Sequence, residues 1–76
     1  MSLGYSQSLV KANKAANARF LGVALGRHCI ERDISVRHIA ERFKVSRMTV
    51  YSWFKGARNP RPDLAVQIQR YIQKLK

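Results

Sequence analysis

The apolar residues of the central part of the chain recur at helical spacing. Between residues 15 and 32 the sequence is rich in Ala and Leu, and Leu21, Leu25 and Cys29 or His28 fall on one helical face. We therefore predict a first helix over residues 15–32. Gly22 and Gly26 each cost such a helix about 1 kcal/mol relative to Ala, so two interpretations are open. Either another backbone packs closely against them, or they are merely tolerated.

A second, shorter helix is predicted over residues 36–43. Ser35 precedes it and is a favourable N-cap. One side of this helix is polar and the other is apolar. The apolar side comprises Ile39, Ala40 and Phe43. The pattern ends near Lys44, after about two turns.

A third helix follows after only a few residues. Ser46 is its predicted N-cap, the segment 47–55 is its body, and Gly56 is its predicted C-terminal cap. Val50 and Trp53, spaced i and i+3, are predicted to face inward. Two short helices joined by so tight a turn are typical of a helix-turn-helix unit.

The two ends of the chain differ in pattern. Residues 1–14 are mostly polar with no clear period, so we expect a basic N-terminal arm there, with helix only as a frayed part of it, and a folded domain over residues 15–76. A basic loop with two prolines follows Gly56, and Pro62 suits the first turn of a last helix. The apolar residues of that helix are Leu64, Ile68, Tyr71 or Ile72, and Leu75. The predicted fold is a small all-α domain of four to five helices.

Residues 36–55 resemble the helix-turn-helix of the lambda repressor and Cro-like family. The family pattern has a small residue in the first helix, apolar residues on both sides of it, one in the turn, and two on the inner face of the recognition helix. These positions hold Ala40, Ile39, Phe43, Val45, Val50 and Trp53. The resemblance covers roughly residues 21–72, and it implies that the helix 46–55 enters the major groove of DNA.

Two positions depart from that family pattern. Lys44 stands where the family usually has a Gly in the left-handed conformation, which implies a cost of about 1 kcal/mol in backbone strain. Phe54 stands where a polar or acidic residue is common. It either packs against the last helix or is an exposed anchor for a partner subunit.

The charge of the chain adds a partner to this picture. Fifteen Lys and Arg against four acidic residues give a net charge of +11. Such an excess favours a polyanion, which charge alone does not identify as nucleic acid or membrane surface. Between residues 42 and 61 there are six basic residues and no acid.

The predicted DNA contacts follow from helical spacing. Arg47, Tyr51 and Lys55 lie at i, i+4 and i+8 on an outer stripe with Met48 and Ser52 beside them, and these five are the predicted base contacts. An Arg side chain can donate two hydrogen bonds to guanine, and a Met side chain can contact a thymine methyl. The predicted phosphate contacts are Arg37, Ser46, Thr49, Arg58, Arg61, Lys11 and Lys14.

Other chemistry finds little support in the sequence. The single cysteine excludes an intrachain disulfide, and His28, Cys29 and His38 lack the spacing and fourth ligand of a zinc site. Without a phosphate-binding glycine loop or a catalytic constellation, we expect no enzyme, no metal or other cofactor and no small-molecule ligand. With no signal peptide or long apolar run, we expect no membrane association and a location in the cytoplasm, either at a bacterial nucleoid or in a phage-infected host.

The sequence therefore predicts a sequence-specific double-stranded DNA-binding protein, a small transcriptional repressor of phage, plasmid or bacterial origin. A homodimer formed through the last helix or Phe54 would bind a palindromic operator. Three alternatives stay open. They are an accessory protein of phage or plasmid packaging, replication or recombination; an RNA-binding protein; and a membrane-active cationic peptide.

Overall fold

The computed structural model describes residues 5–75, and within them it has five helices and no strand. The helices are α1 (Gln7–Ala15), α2 (Leu21–Arg32), α3 (Val36–Phe43), α4 (Arg47–Lys55) and α5 (Pro62–Leu75). The all-α class is confirmed, as are the helices predicted over 36–43 and 47–55 and a last helix that starts at Pro62. None of these helices is both long and apolar enough to cross a membrane.

Serine hydroxyls cap the N-termini of three helices. In each case the hydroxyl oxygen accepts the main-chain N–H of the residue three positions on, which would otherwise lack a partner at the helix start. The pairs are Ser6 with Leu9, Ser35 with His38, and Ser46 with Thr49. The predicted caps at Ser35 and Ser46 are confirmed, whereas the cap at Ser6 begins a helix that the sequence pattern did not predict.

Residues in the left-handed conformation end α2, α3 and α4. Asp33, Lys44 and Gly56 have φ values of 59°, 56° and 81°. Gly adopts this conformation without a steric penalty, whereas Asp33 and Lys44 adopt it against the clash of a Cβ atom. The left-handed turn residue that the sequence placed at Lys44 is present.

Helix α1 replaces much of the predicted N-terminal arm. Residues 1–4 of the predicted arm lie outside the described residues, but the expectation of an arm is wrong from residue 7 onward, where α1 begins. The inner face of α1 carries Leu9 and also Asn13, which is 1% exposed. A polar residue at a core position hides the helical period, and this is why the pattern was missed.

The helix predicted over 15–32 starts later than expected. Ala16 is extended at the end of α1, and the side-chain oxygen of Asn17 accepts the main-chain N–H of Arg19. This local hydrogen bond competes with helix formation. Residues 16–20 therefore connect two helices, and α2 begins at Leu21.

Helix α4 packs against α1, α2 and α3, and its crossing with α2 is close. A Cβ atom added at Gly22 would lie 2.8 Å from the carbonyl oxygen of Trp53, and one added at Gly26 would lie 2.8 Å from Cγ of Phe54. The first of the two interpretations is confirmed at Gly22, which lets the backbone of α4 approach α2. At Gly26 the close neighbours are side chains, those of Asn13 and Phe54.

Phe54 is fully buried in this core. Its ring centroid lies 6.2 Å from that of Tyr5, and its side chain also packs against Gly26. Of the two alternatives for Phe54, the exposed anchor for a partner subunit is therefore wrong, because no part of the side chain reaches the surface. An aromatic residue fits this position because Gly26 leaves space for it.

Two further contacts fix the outer helices. One guanidinium nitrogen of Arg27 lies 3.0 Å from the carbonyl oxygen of Ala16 and 3.1 Å from that of Lys14, so the α2 side chain caps the C-terminus of α1. At the other side of the domain, the rings of Phe43 and Tyr71 meet edge to face at 5.6 Å and join α3 to α5.

Candidate nucleic-acid interface

Helix α4 has one buried and one exposed side. Val50, Trp53 and Phe54 are at most 2% exposed. On the opposite side Met48 is 75% exposed and Tyr51 is 36% exposed. We define the exposed face of α4 as the five predicted base-contact residues, Arg47, Met48, Tyr51, Ser52 and Lys55, of which all but the half-buried Ser52 are exposed. The rigid attachment of the buried side fixes the direction in which this face points.

The first turn of α4 is ordered by two hydroxyl groups. The Ser46 hydroxyl oxygen accepts the main-chain N–H of Thr49 at 3.1 Å and lies 3.0 Å from the Thr49 hydroxyl. Both predicted phosphate-contact hydroxyls are therefore already engaged with each other. Their first effect is to hold the turn that presents Arg47 and Met48.

Ser52 has a restricted hydrogen-bonding role. Its hydroxyl donates to the main-chain carbonyl oxygen of Met48 at 3.1 Å. A serine hydroxyl has one hydrogen and two lone pairs, so in this rotamer Ser52 can accept a hydrogen bond from a ligand but cannot donate one. Among base edges in the major groove it would suit an amino group.

A shallow surface depression joins the start of α4 to α3. Arg37, Lys44, Ser46 and Arg47 line it, together with Glu41. Nε of Arg37 lies 3.3 Å from a carboxylate oxygen of Glu41, and both side chains are exposed, so this ion pair contributes little to stability. Arg37 thus lies beside the exposed face of α4 as predicted. Lys44 also lines this depression, although the sequence pattern indicated only a turn position for it.

A second depression places α1 beside the other end of the exposed face. Ser6, Ser8 and Leu9 line it together with Tyr51 and Lys55. This neighbour was not predictable from the sequence pattern, which indicated an arm in place of α1. The two serines extend the polar surface beyond Lys55.

The remaining predicted phosphate contacts divide into two groups. Arg58 and Arg61 are exposed in the loop after α4, where the main-chain N–H of Arg58 bonds to the carbonyl oxygen of Ser52. Lys11 and Lys14 instead line a groove that also contains Glu31 and Asp33. Arg37, Ser46 and Arg58 lie next to α4 and Thr49 lies in its first turn, whereas the α1 lysines lie in a groove with acidic residues.

The shifted side-chain pKa values belong to buried groups. Burial raises the pKa of the Cys29 thiol to about 12, although the positive charge of Arg32 acts in the opposite direction. Burial likewise raises the pKa of the phenols of Tyr5 and Tyr71. Since Cys29 is fully buried, its thiol is protonated at neutral pH and shielded from solvent. Among residues 5–75 there is also no group of three or more potential metal ligands.

No family model, no curated protein and no solved structure matches the chain. The functional assignment therefore depends on the residues and their arrangement.

Proposed function

We propose that this protein is a sequence-specific double-stranded DNA-binding protein that inserts α4 into the major groove, and that it acts as a small transcriptional repressor. The observation that carries the proposal is the two-sided character of α4. Its inner side is fixed in the core, while its outer side presents Arg47, Met48, Tyr51 and Lys55 to solvent. A helix that enters a major groove needs both properties.

The charge around α4 supports the same proposal. The segment from residue 42 to residue 61 has six basic residues and no acidic one. Cations that flank a reading helix hold it in register on the phosphate backbone, while the helix contacts the base edges. Arg37 and Lys44 on one flank and the Arg58 loop at the C-terminal end of α4 suit this role.

The proposal also states that the protein represses transcription, as opposed to another role that depends on DNA binding. The α3-turn-α4 unit with its neighbouring helices occupies most of the chain, and a protein of this kind can regulate by occupying an operator. Packaging, replication and recombination accessories would use the same contacts, so the selected DNA site must be located in the source genome to distinguish them.

The test is a selection of bound sequences from a random duplex pool, with a random structured RNA pool run in parallel. The proposal predicts a short enriched duplex motif and no comparable enrichment of RNA. A palindromic motif would indicate a dimer, and a single half-site would indicate a monomer. Recovery of duplexes with no common motif would contradict sequence-specific binding, and enrichment only in the RNA pool would favour the RNA alternative.

A further inference from the structure

A second basic surface lies between α3 and α5. It is a cleft lined by Arg42, Gln67, Arg70, Tyr71, Gln73 and Lys74, which we call the α3–α5 cleft. Three of these six residues are cations and none is acidic. Clustered like charges without a counter-ion disfavour the folded state, so a bound polyanion would relieve the repulsion.

The guanidinium group of Arg42 is held in position by aromatic rings. Its central carbon lies 5.4 Å from the ring centroid of Phe43 and 5.9 Å from that of Tyr71, within the range of cation–π attraction. Those two rings are themselves packed edge to face. A planar guanidinium fixed in this way is suited to bidentate hydrogen bonding with a phosphate group.

Helix α5 supplies the other side of the cleft. Gln67, Arg70 and Lys74 are spaced i, i+3 and i+7, so they form one stripe along the helix. All three side chains are exposed, while Ile68 and Ile72 on the inner side are buried. The stripe runs along the helix axis and consists of one amide and two cations, all of which can donate hydrogen bonds to the phosphates of a nucleic-acid strand.

The cleft and the proposed reading surface lie on different flanks of α3. Arg37 lines the depression beside α4, whereas Arg42 lines the α3–α5 cleft. Five residues of an α-helix rotate a side chain by about 140° around the axis. A duplex bound to the exposed face of α4 would therefore leave the α3–α5 cleft accessible.

We infer that the α3–α5 cleft binds the phosphate backbone of a second DNA duplex, so that one chain can bridge two duplexes. The inference rests on the proposed function, because the first duplex is the one that α4 binds. The second contact is independent of sequence because its cations and amides bind phosphate oxygens, which are the same at every base pair. Bridging of this kind would bring together separated DNA segments.

The experiment is a capture assay. One duplex that carries the selected site is immobilised, protein is bound to it, and retention of a second, fluorescent duplex is measured. The double variant Arg70→Gln/Lys74→Gln should bind the immobilised duplex nearly as well as wild type, yet capture of the second duplex should fall by about tenfold through loss of two phosphate contacts. The matched control is Arg19→Gln/Arg32→Gln, which removes the same charge from exposed positions that lie outside the cleft and outside the predicted DNA contacts, and it should retain capture.

Three results would overturn the inference. Wild type could bind the first duplex and capture no second one, or both double variants could lose capture equally, which would indicate a general effect of charge. Sedimentation equilibrium without DNA is the third check, because a lower mass for Arg70→Gln/Lys74→Gln would show that subunit association had caused the bridging.

The proposed function has a separate readout in the same assay. Its failure would appear as unchanged binding of the first duplex by Arg47→Ala. The inference about the cleft is tested by the amount of the second duplex that is captured, and not by binding of the first duplex. The two failures are therefore distinguishable.

Discussion

The side-chain amide of Asn13 donates a hydrogen bond to the main-chain carbonyl oxygen of Phe54 at 2.7 Å, which joins α1 to the last turn of α4. The same nitrogen lies 3.2 Å from the carbonyl oxygen of Val23 in α2. Carbonyl groups in the last turn of a helix lack an intrahelical partner, so Asn13 satisfies an acceptor that is otherwise buried without one. One polar side chain thus holds three helices together behind the exposed face of α4.

Replacement of Asn13 by Ala should lower the free energy of unfolding by about 2 kcal/mol, because a buried acceptor loses its partner. Thermal unfolding followed by circular dichroism would measure the change. Asn59→Ala, at an exposed loop position, is the control and should unfold close to wild type. An Asn13→Ala variant as stable as Asn59→Ala would contradict the joining role.

Gly22→Ala should also destabilise the domain, although Ala is the better helix former. The new Cβ atom would lie 2.8 Å from the carbonyl oxygen of Trp53, a backbone atom that cannot move alone. Overpacking should outweigh the gain in helix propensity and leave a net loss of about 1 to 2 kcal/mol. Urea denaturation would measure it, with Gln69→Ala on the exposed side of α5 as control; a gain in stability would show that α2 and α4 do not pack so closely.

Lys44→Gly should stabilise the turn between α3 and α4. Lys44 has a φ of 56°, and Gly would remove a strain of about 1 kcal/mol, partly offset by the greater freedom of Gly in the unfolded chain. Lys44→Ala keeps the Cβ atom and removes the charge, so it separates backbone strain from electrostatics. Equal midpoints of denaturation for the two variants would show that the backbone at Lys44 is not strained.

The Cys29 thiol should make the domain less stable at alkaline pH. Its pKa rises from 9.0 to about 12 in the folded chain, so above pH 9 the unfolded chain loses this proton first. The stability that the domain gains from keeping this thiol protonated is fully present below pH 9 and is lost as the pH rises toward 12. Cys29→Ala should lose less stability than wild type between pH 9 and 12, as measured by denaturant titration at each pH. Parallel curves for the two proteins would rule out this role of the thiol.

The sequence predicted much of the fold because its local signals agree. Ser35, Ser46, Gly56 and Pro62 each mark a helix boundary through a chemical preference that needs no tertiary contact. Helix α1 escaped prediction because Asn13 is buried by contacts with residues ten and forty-one positions away. Such long-range hydrogen bonds leave no period in the local pattern.

The candidate site, like the fold, was predictable where it depends on local helical spacing. Helical spacing alone placed Arg47, Tyr51 and Lys55 on one face, and the burial of Val50 and Trp53 agrees with it. The neighbours of that face were not predictable, because Ser6 and Ser8 reach it only through the packing of α1. The hydrogen bond that limits Ser52 to an acceptor depends on a rotamer, which spacing does not specify.

The central claim is that α4 reads base edges, and the measurement that tests it most directly is the affinity of Arg47→Ala for two duplexes. One carries the motif enriched from the random pool and the other has a scrambled sequence. The proposal predicts a loss of about 1 to 3 kcal/mol on the motif, a much smaller loss on the scrambled duplex, and relaxed preference at one base pair. Arg19→Ala, an exposed cation outside α4, should change both affinities equally and slightly. An equal loss on both duplexes for Arg47→Ala would mean that Arg47 contacts only phosphate, and it would contradict the assignment of α4 as the reading helix.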